Sequence, residues 1–95
     1  MIDYKTRCQT YLNALLEYGE ETQMIVALEE LSEAQKEICK FLRGIGNIDH
    51  LAEEVADAKI MLEQVTEFKQ IGDLVQQKMD EKIRRLDRRL RSDGN

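Results

Sequence analysis

The chain contains no proline and no tryptophan, and its 95 residues include only five glycines and one histidine. Because proline is the strongest helix breaker, its absence is typical of a protein built from long helices. Cysteine is also scarce. Cys8 and Cys39 form no CxxC pair and have no histidine neighbour, so two reduced thiols on apolar helix faces are favoured over a disulfide.

Long apolar runs and a cationic surplus are missing as well. No stretch approaches the roughly 18 apolar residues that a membrane helix requires, and the start MIDYKTRCQT lacks a signal-peptide core, which predicts a cytoplasmic protein without membrane contact. With 14 basic and 19 acidic residues the net charge is −5, which argues against nucleic acid as a partner. A chain this short has a core of moderate stability, so oligomerisation is expected.

Hydrophobic periodicity predicts four helices and no strand. The expected boundaries are an N-cap at Asp3 and an end at Gly19, a second helix over about 21–43, a third capped by Asn47 or Asp49, and a fourth after a turn at 71–72. The tail, 91–95, is expected to fray. Residues 1–95 therefore form one all-α domain, predicted to be an antiparallel four-helix bundle completed by oligomerisation.

The main packing seam of the second helix is predicted from its bulky apolar side chains. These recur at helical spacing and are Met24, Leu28, Leu31, Ile38 and Leu42.

Four carboxylates lie on or beside the apolar faces of the second and third helices. On a helical wheel Glu54 falls inside the apolar arc of the third helix and Asp57 lies at its edge, whereas Glu53 points towards solvent. On the second helix Glu30 falls within the apolar arc and Glu33 just outside it. Because a short loop joins these helices, they are expected to pack antiparallel and to bring the two acidic pairs together.

Carboxylates gathered at low dielectric repel one another and favour a neutralising cation. All-oxygen ligation favours Mg²⁺, with Mn²⁺ as a substitute, over zinc. A ferritin-like di-iron site would need Glu-x-x-His on two helices, and the only histidine, His50, precedes Glu54 by four positions. The alternative is that these i,i+3 acidic pairs are solvated surface charges, which are common in a chain with 19 acids.

The acidic pattern resembles the signature of a known family. Glu30-Leu31-Ser32-Glu33 is followed, after twenty residues, by Glu54-Val55-Ala56-Asp57. This Glu-x-x-Glu, spacer, Glu-x-x-Asp order is similar to that of the MazG-like all-α nucleoside triphosphate pyrophosphohydrolases. The residues that flank the four acids also resemble those of the family, in the segments EELSEAQKEI and LAEEVADAKIMLEQV. The resemblance covers about residues 18–90.

The resemblance implies a Mg²⁺-dependent enzyme that hydrolyses a nucleoside triphosphate between the α and β phosphates, releasing the monophosphate and pyrophosphate, in nucleotide-pool house-cleaning. It makes Glu30, Glu33, Glu54 and Asp57 the metal ligands, with Glu33 also the candidate for orienting the attacking water. The implied partners are the nucleotide and further copies of the chain, in a homodimer or homotetramer. The sequence does not select a base or sugar.

The last helix of the family often carries Asn-x-Lys-φ-x-x-Arg, where φ is apolar. This chain has DEKIRR beginning at Asp80, so that Lys82 and Arg85 match while the asparagine is replaced. The resemblance implies phosphate contacts from Lys82 and Arg85, and Lys78 lies on the same basic stripe. A solvated flank with i,i+4 pairs is the alternative for this stripe. For the whole chain, the alternatives are a helical interaction module and a non-catalytic nucleotide-binding relative.

Overall fold

The computed structural model describes residues 1–93 as four helices, and no strand occurs in that range. The helices are α1 (Tyr4–Tyr18), α2 (Glu20–Leu42), α3 (Ile48–Phe68) and α4 (Gly72–Asp93). The prediction of an all-α chain with four helices is confirmed. Helix α4 includes 91–93 of the tail that was expected to fray, and Gly94 and Asn95 lie outside the described residues.

Local capping explains where the first three helices begin and where α1 ends. The side chain of Asp3 accepts a hydrogen bond from the backbone N–H of Thr6 at 2.7 Å and caps α1. Asn47, rather than Asp49, caps α3 in the same way. Gly19 separates α1 from α2 with a φ of 87°, a conformation that glycine adopts far more readily than other residues. Both capping predictions are therefore confirmed, with the open choice at the third helix resolved.

Helices α2 and α3 pack antiparallel along most of their length through small and polar side chains. The buried side chains of this contact are Gln23, Ala27, Ala34 and Glu37 on α2, and Ala58, Met61 and Gln64 on α3. Alanine at these positions lets the two backbones approach closely, because no long side chain separates them.

A buried hydrogen bond marks the register of this helix pair. Gln23 Nε2 donates to Gln64 Oε1 at 2.9 Å, with both side chains inside the contact. Because the helices are antiparallel, two turns forward along α2 from Gln23 correspond to two turns back along α3 from Gln64. The same register therefore sets Glu30 opposite Asp57.

The predicted packing seam of α2 was wrong for the single chain. Four of its five bulky residues are exposed, among them Leu28 at 68%, Ile38 at 51% and Leu42 at 84%, and only Met24 is half-buried. The neighbouring face, with its two alanines, packs on α3 instead, since small side chains permit a closer contact. Cys39, expected on a buried apolar face, is also exposed, whereas Cys8 is half-buried; both thiols are free.

Helix α1 contacts both α2 and α3. Its buried residue is Tyr11, and two polar contacts tie its exposed side to α3. Arg7 forms an ion pair with Glu63 at 3.0 Å, and the Tyr4 hydroxyl donates to Glu67 Oε1 at 2.8 Å. Surface contacts of this kind add little stability individually, so α1 is held mainly by its apolar face.

Helix α4 contacts only α3, close to the turn that joins them, and has no buried residue. Four of its exposed apolar side chains share one stripe, at Met79, Ile83, Leu86 and Leu90, whereas the exposed Leu74 lies on another face. Within residues 1–93 a single chain therefore does not close a four-helix bundle. None of the helices in this range is long and apolar enough to span a membrane.

Candidate metal centre

Three acidic side chains converge where α2 and α3 pack together. One carboxylate oxygen from each of Glu30, Glu54 and Asp57 lies within 4.8 Å of the other two. Glu30 and Glu54 are half-buried and Asp57 is exposed. Helix α2 supplies the first group and α3 supplies the other two from adjacent turns. The structure thus brings together three of the four predicted ligands, in an all-oxygen set that suits a hard divalent cation.

Glu33 lies beside this cluster rather than within it. It is exposed on the next turn of α2, and its oxygens are not among the three that converge. It is still close enough for its charge to raise the pKa of both Glu30 and Glu54. Its roles as a ligand and as the group that orients water therefore stay predictions.

The cluster is electrostatically unfavourable without a cation. Loss of solvation raises the pKa of Glu30 above its ordinary value, and the charges of Asp57 and Glu54 raise it further. The pKa of Glu54 is also raised, first by desolvation and then by the charge of Asp57. Glu53, next to it on α3, is exposed as predicted. A bound cation would offset both effects, because it stabilises the charged form of the carboxylates.

A fifth carboxylate, which the motif pattern did not single out, lies at the same α2–α3 contact. Glu37 is only 7% exposed; its Oε1 accepts a hydrogen bond from Lys40 Nζ at 3.1 Å, while its Oε2 is buried without a hydrogen-bond partner. Its charge is one of those that raise the pKa of Glu54. The available signal was spacing: Glu37 follows Glu30 by seven residues, which places both on the same face of α2.

The predicted phosphate-binding residues lie on α4, apart from the acids. Lys78, Lys82 and Arg85 are exposed, and no ion pair between described residues joins any of them to Glu30, Glu54 or Asp57. Lys78 Nζ instead lies 3.8 Å from Glu81 Oε2 on its own helix. Since α4 has no contact with α2, one chain does not bring the basic stripe and the acidic cluster together.

Comparison of the chain with protein-family models, with curated proteins and with solved structures finds no match. Support for a functional assignment therefore comes from the chain itself. It consists of the motif residues, their position on two antiparallel helices and the chemistry that their oxygens allow.

The raised pKa of Glu54 leads to a prediction for the metal-free protein. The pKa of Glu54 is higher in the folded than in the unfolded chain. Below its ordinary pKa of 4.5 the carboxyl is protonated in both states and does not oppose folding. Stability is lost as the pH rises through the folded-state pKa, because ionisation is less favourable in the folded chain. Glu54→Gln removes this loss. The variant should therefore have a free energy of unfolding at least equal to wild type at about pH 7, and no advantage at about pH 4.5. Urea unfolding in a chelator measures both.

The matched control is Glu53→Gln, which makes the same chemical change at the adjacent, exposed position. It should leave the free energy of unfolding close to wild type at both pH values. An equal gain from Glu53→Gln, or a clear loss of stability in Glu54→Gln at about pH 7, would contradict the placement of Glu54 at the α2–α3 contact.

Proposed function

We propose that the protein is a Mg²⁺-dependent nucleoside triphosphate pyrophosphohydrolase of the MazG-like type, which hydrolyses a nucleoside triphosphate between the α and β phosphates. The observation that carries the proposal is the convergence of Glu30, Glu54 and Asp57 within 4.8 Å at the contact of α2 and α3. The proposed products are the nucleoside monophosphate and pyrophosphate, in removal of surplus or damaged nucleotides. The proposed location is the cytoplasm.

The donor set fits the proposed cation. Glu30, Glu54 and Asp57 would hold Mg²⁺, or Mn²⁺ in its place, because hard cations prefer carboxylate oxygens. When bound, such a cation polarises a phosphoryl oxygen and lowers the pKa of a bound water. Glu33, on the neighbouring turn of α2, is the proposed fourth ligand and the group that orients the attacking water. A triphosphate is polyanionic, so an acidic site binds it only together with cations.

The phosphates are proposed to be bound further by Lys82 and Arg85, with Lys78 nearby on the same helix. In a single chain α4 does not contact α2. These contacts therefore require α4 to close over the acidic cluster, or α4 of a second copy to approach it.

Self-association into a homodimer or homotetramer is part of the proposal. It is supported by two apolar stripes that a single chain leaves exposed, one on α2 and one on α4. Exposed stripes of this extent are typical of interfaces between subunits.

Light scattering tests self-association directly. At about micromolar concentration the wild type should have at least twice the 11.1 kDa mass of one chain. Ile38→Glu, which places a charge in the exposed stripe of α2, should shift the protein towards the monomer with its helix content retained, because a buried charge at an interface is costly. Thr22→Glu, an exposed site on the other side of α2, is the control. A wild-type mass near 11.1 kDa would contradict self-association.

Pyrophosphate release from a panel of ribo- and deoxyribonucleoside triphosphates tests the activity. Release should require Mg²⁺ or Mn²⁺, and Glu54→Gln or Asp57→Asn should abolish it because each removes a charged oxygen ligand. Glu53→Gln should change it little. The same panel identifies the preferred base and sugar.

The exposed apolar stripes also favour a second candidate, a helical interaction module whose acids serve solubility. The measurements separate the possibilities. An interaction module would show neither pyrophosphate release nor a rise in melting temperature with Mg²⁺. A non-catalytic relative would gain stability from the metal and bind nucleotide, but would release no pyrophosphate.

Substitutions on α4 test the phosphate contacts. Lys82→Ala should weaken nucleotide binding or turnover by about 1–3 kcal/mol, the range for a charge-assisted hydrogen bond. Arg85→Lys keeps the charge but loses the planar pair of donors, so it should also weaken the enzyme. Metal-induced stabilisation should survive both changes, since neither residue touches the acidic cluster. Unchanged kinetics in both variants would make the stripe a solvated flank.

A further inference from the structure

The buried carboxylate of Glu37 has two oxygens, and only one of them has a hydrogen-bond partner among the described residues. Lys40 Nζ binds Oε1 at 3.1 Å, and Lys40 itself is 30% exposed along its side chain. Oε2 is buried and receives no hydrogen bond from any described residue. A buried carboxylate oxygen without a donor costs free energy, so its presence in the α2–α3 contact calls for a polar partner.

Glu37 lies on the same face of α2 as Glu30, which belongs to the acidic cluster. Glu37 follows Glu30 by two helical turns on the face of α2 that packs on α3. The turn between them carries Ala34, which is buried, and Glu33, which is exposed. In the register marked by the Gln23–Gln64 hydrogen bond, the end of α2 that carries Glu37 packs near the start of α3, where Glu54 lies. The electrostatic effect of Glu37 on Glu54 agrees with this arrangement.

A purely structural role does not account for the residue type. An ion pair at i,i+3 with a partly exposed lysine uses one oxygen and contributes little. An apolar side chain of similar size would pack against α3 without burying a charge, and such replacements are often neutral or stabilising. A nearby cation would favour a carboxylate over an apolar side chain at this position, because it stabilises the negative charge and orders water that can donate a hydrogen bond to it.

We propose that Glu37 is a further member of the divalent-cation site, and that its Oε2 accepts a hydrogen bond from a water molecule on the cation held by Glu30, Glu54 and Asp57. Glu37 is then a positioning residue, which acts on the coordination sphere through water. This inference rests on the proposed function only for the presence of the cation. It does not depend on nucleotide hydrolysis.

Calorimetric titration of the full chain with MnCl₂ alone tests the proposal. Glu37→Gln should weaken Mn²⁺ binding about 10- to 100-fold, as is usual when a group that orders the coordination sphere is lost. Glu37→Asp keeps the charge but withdraws the oxygen, so it should weaken binding as well. The metal-free Glu37→Gln protein should melt no lower than wild type, because a buried charge has been removed.

Two control variants separate this role from charge and from the ion pair. Glu29→Gln removes the same charge from an exposed position on α2 and should leave Mn²⁺ affinity nearly unchanged. Lys40→Met removes the ion pair but leaves Glu37 in place, so Mn²⁺ affinity should be retained or increased.

Each contrary outcome has a distinct meaning. Absence of Mn²⁺ binding by the wild type would overturn both the proposed function and this inference. Wild-type affinity in Glu37→Gln or in Glu37→Asp would overturn this inference alone. Equal weakening by Lys40→Met and Glu37→Gln would also overturn it, since the ion pair would then be what matters.

Discussion

The close antiparallel contact between α2 and α3 is the constraint on which the rest of the structure depends. Alanines let the backbones approach, and the buried hydrogen bond between Gln23 and Gln64 sets the register of the two helices. A polar pair in a buried contact favours one register, because any slip would leave its donors and acceptors unsatisfied. Everything proposed for the acidic cluster follows from that alignment.

The same contact places charge where it is costly. Glu30 and Glu54 lose solvent and face like charges, and Glu37 is almost fully buried. A helix pair selected only for stability would place apolar side chains at such positions. The proposed cation would offset the cost of holding these carboxylates together, since it stabilises their charged form.

The bulky apolar residues play a different part from the one that their spacing indicates. In the single chain they cover the outside of α2 and one side of α4, and α4 touches only α3. The protein therefore has two kinds of helix face, a small-residue face that packs within the chain and a bulky apolar face that stays exposed in the single chain. In the single chain this division also leaves the basic stripe of α4 away from the acids.

The sequence by itself determined the four helices, the caps at Asp3 and Asn47, and the inward position of Glu54 beside an outward Glu53. These are local properties, since capping and helical periodicity depend on neighbours within a few turns. Only the tertiary structure decided which face of α2 is buried, that Glu33 lies beside the cluster, and that Glu37 is enclosed. The choice between two faces depends on the shape of α3 opposite them, which the periodicity of α2 does not contain.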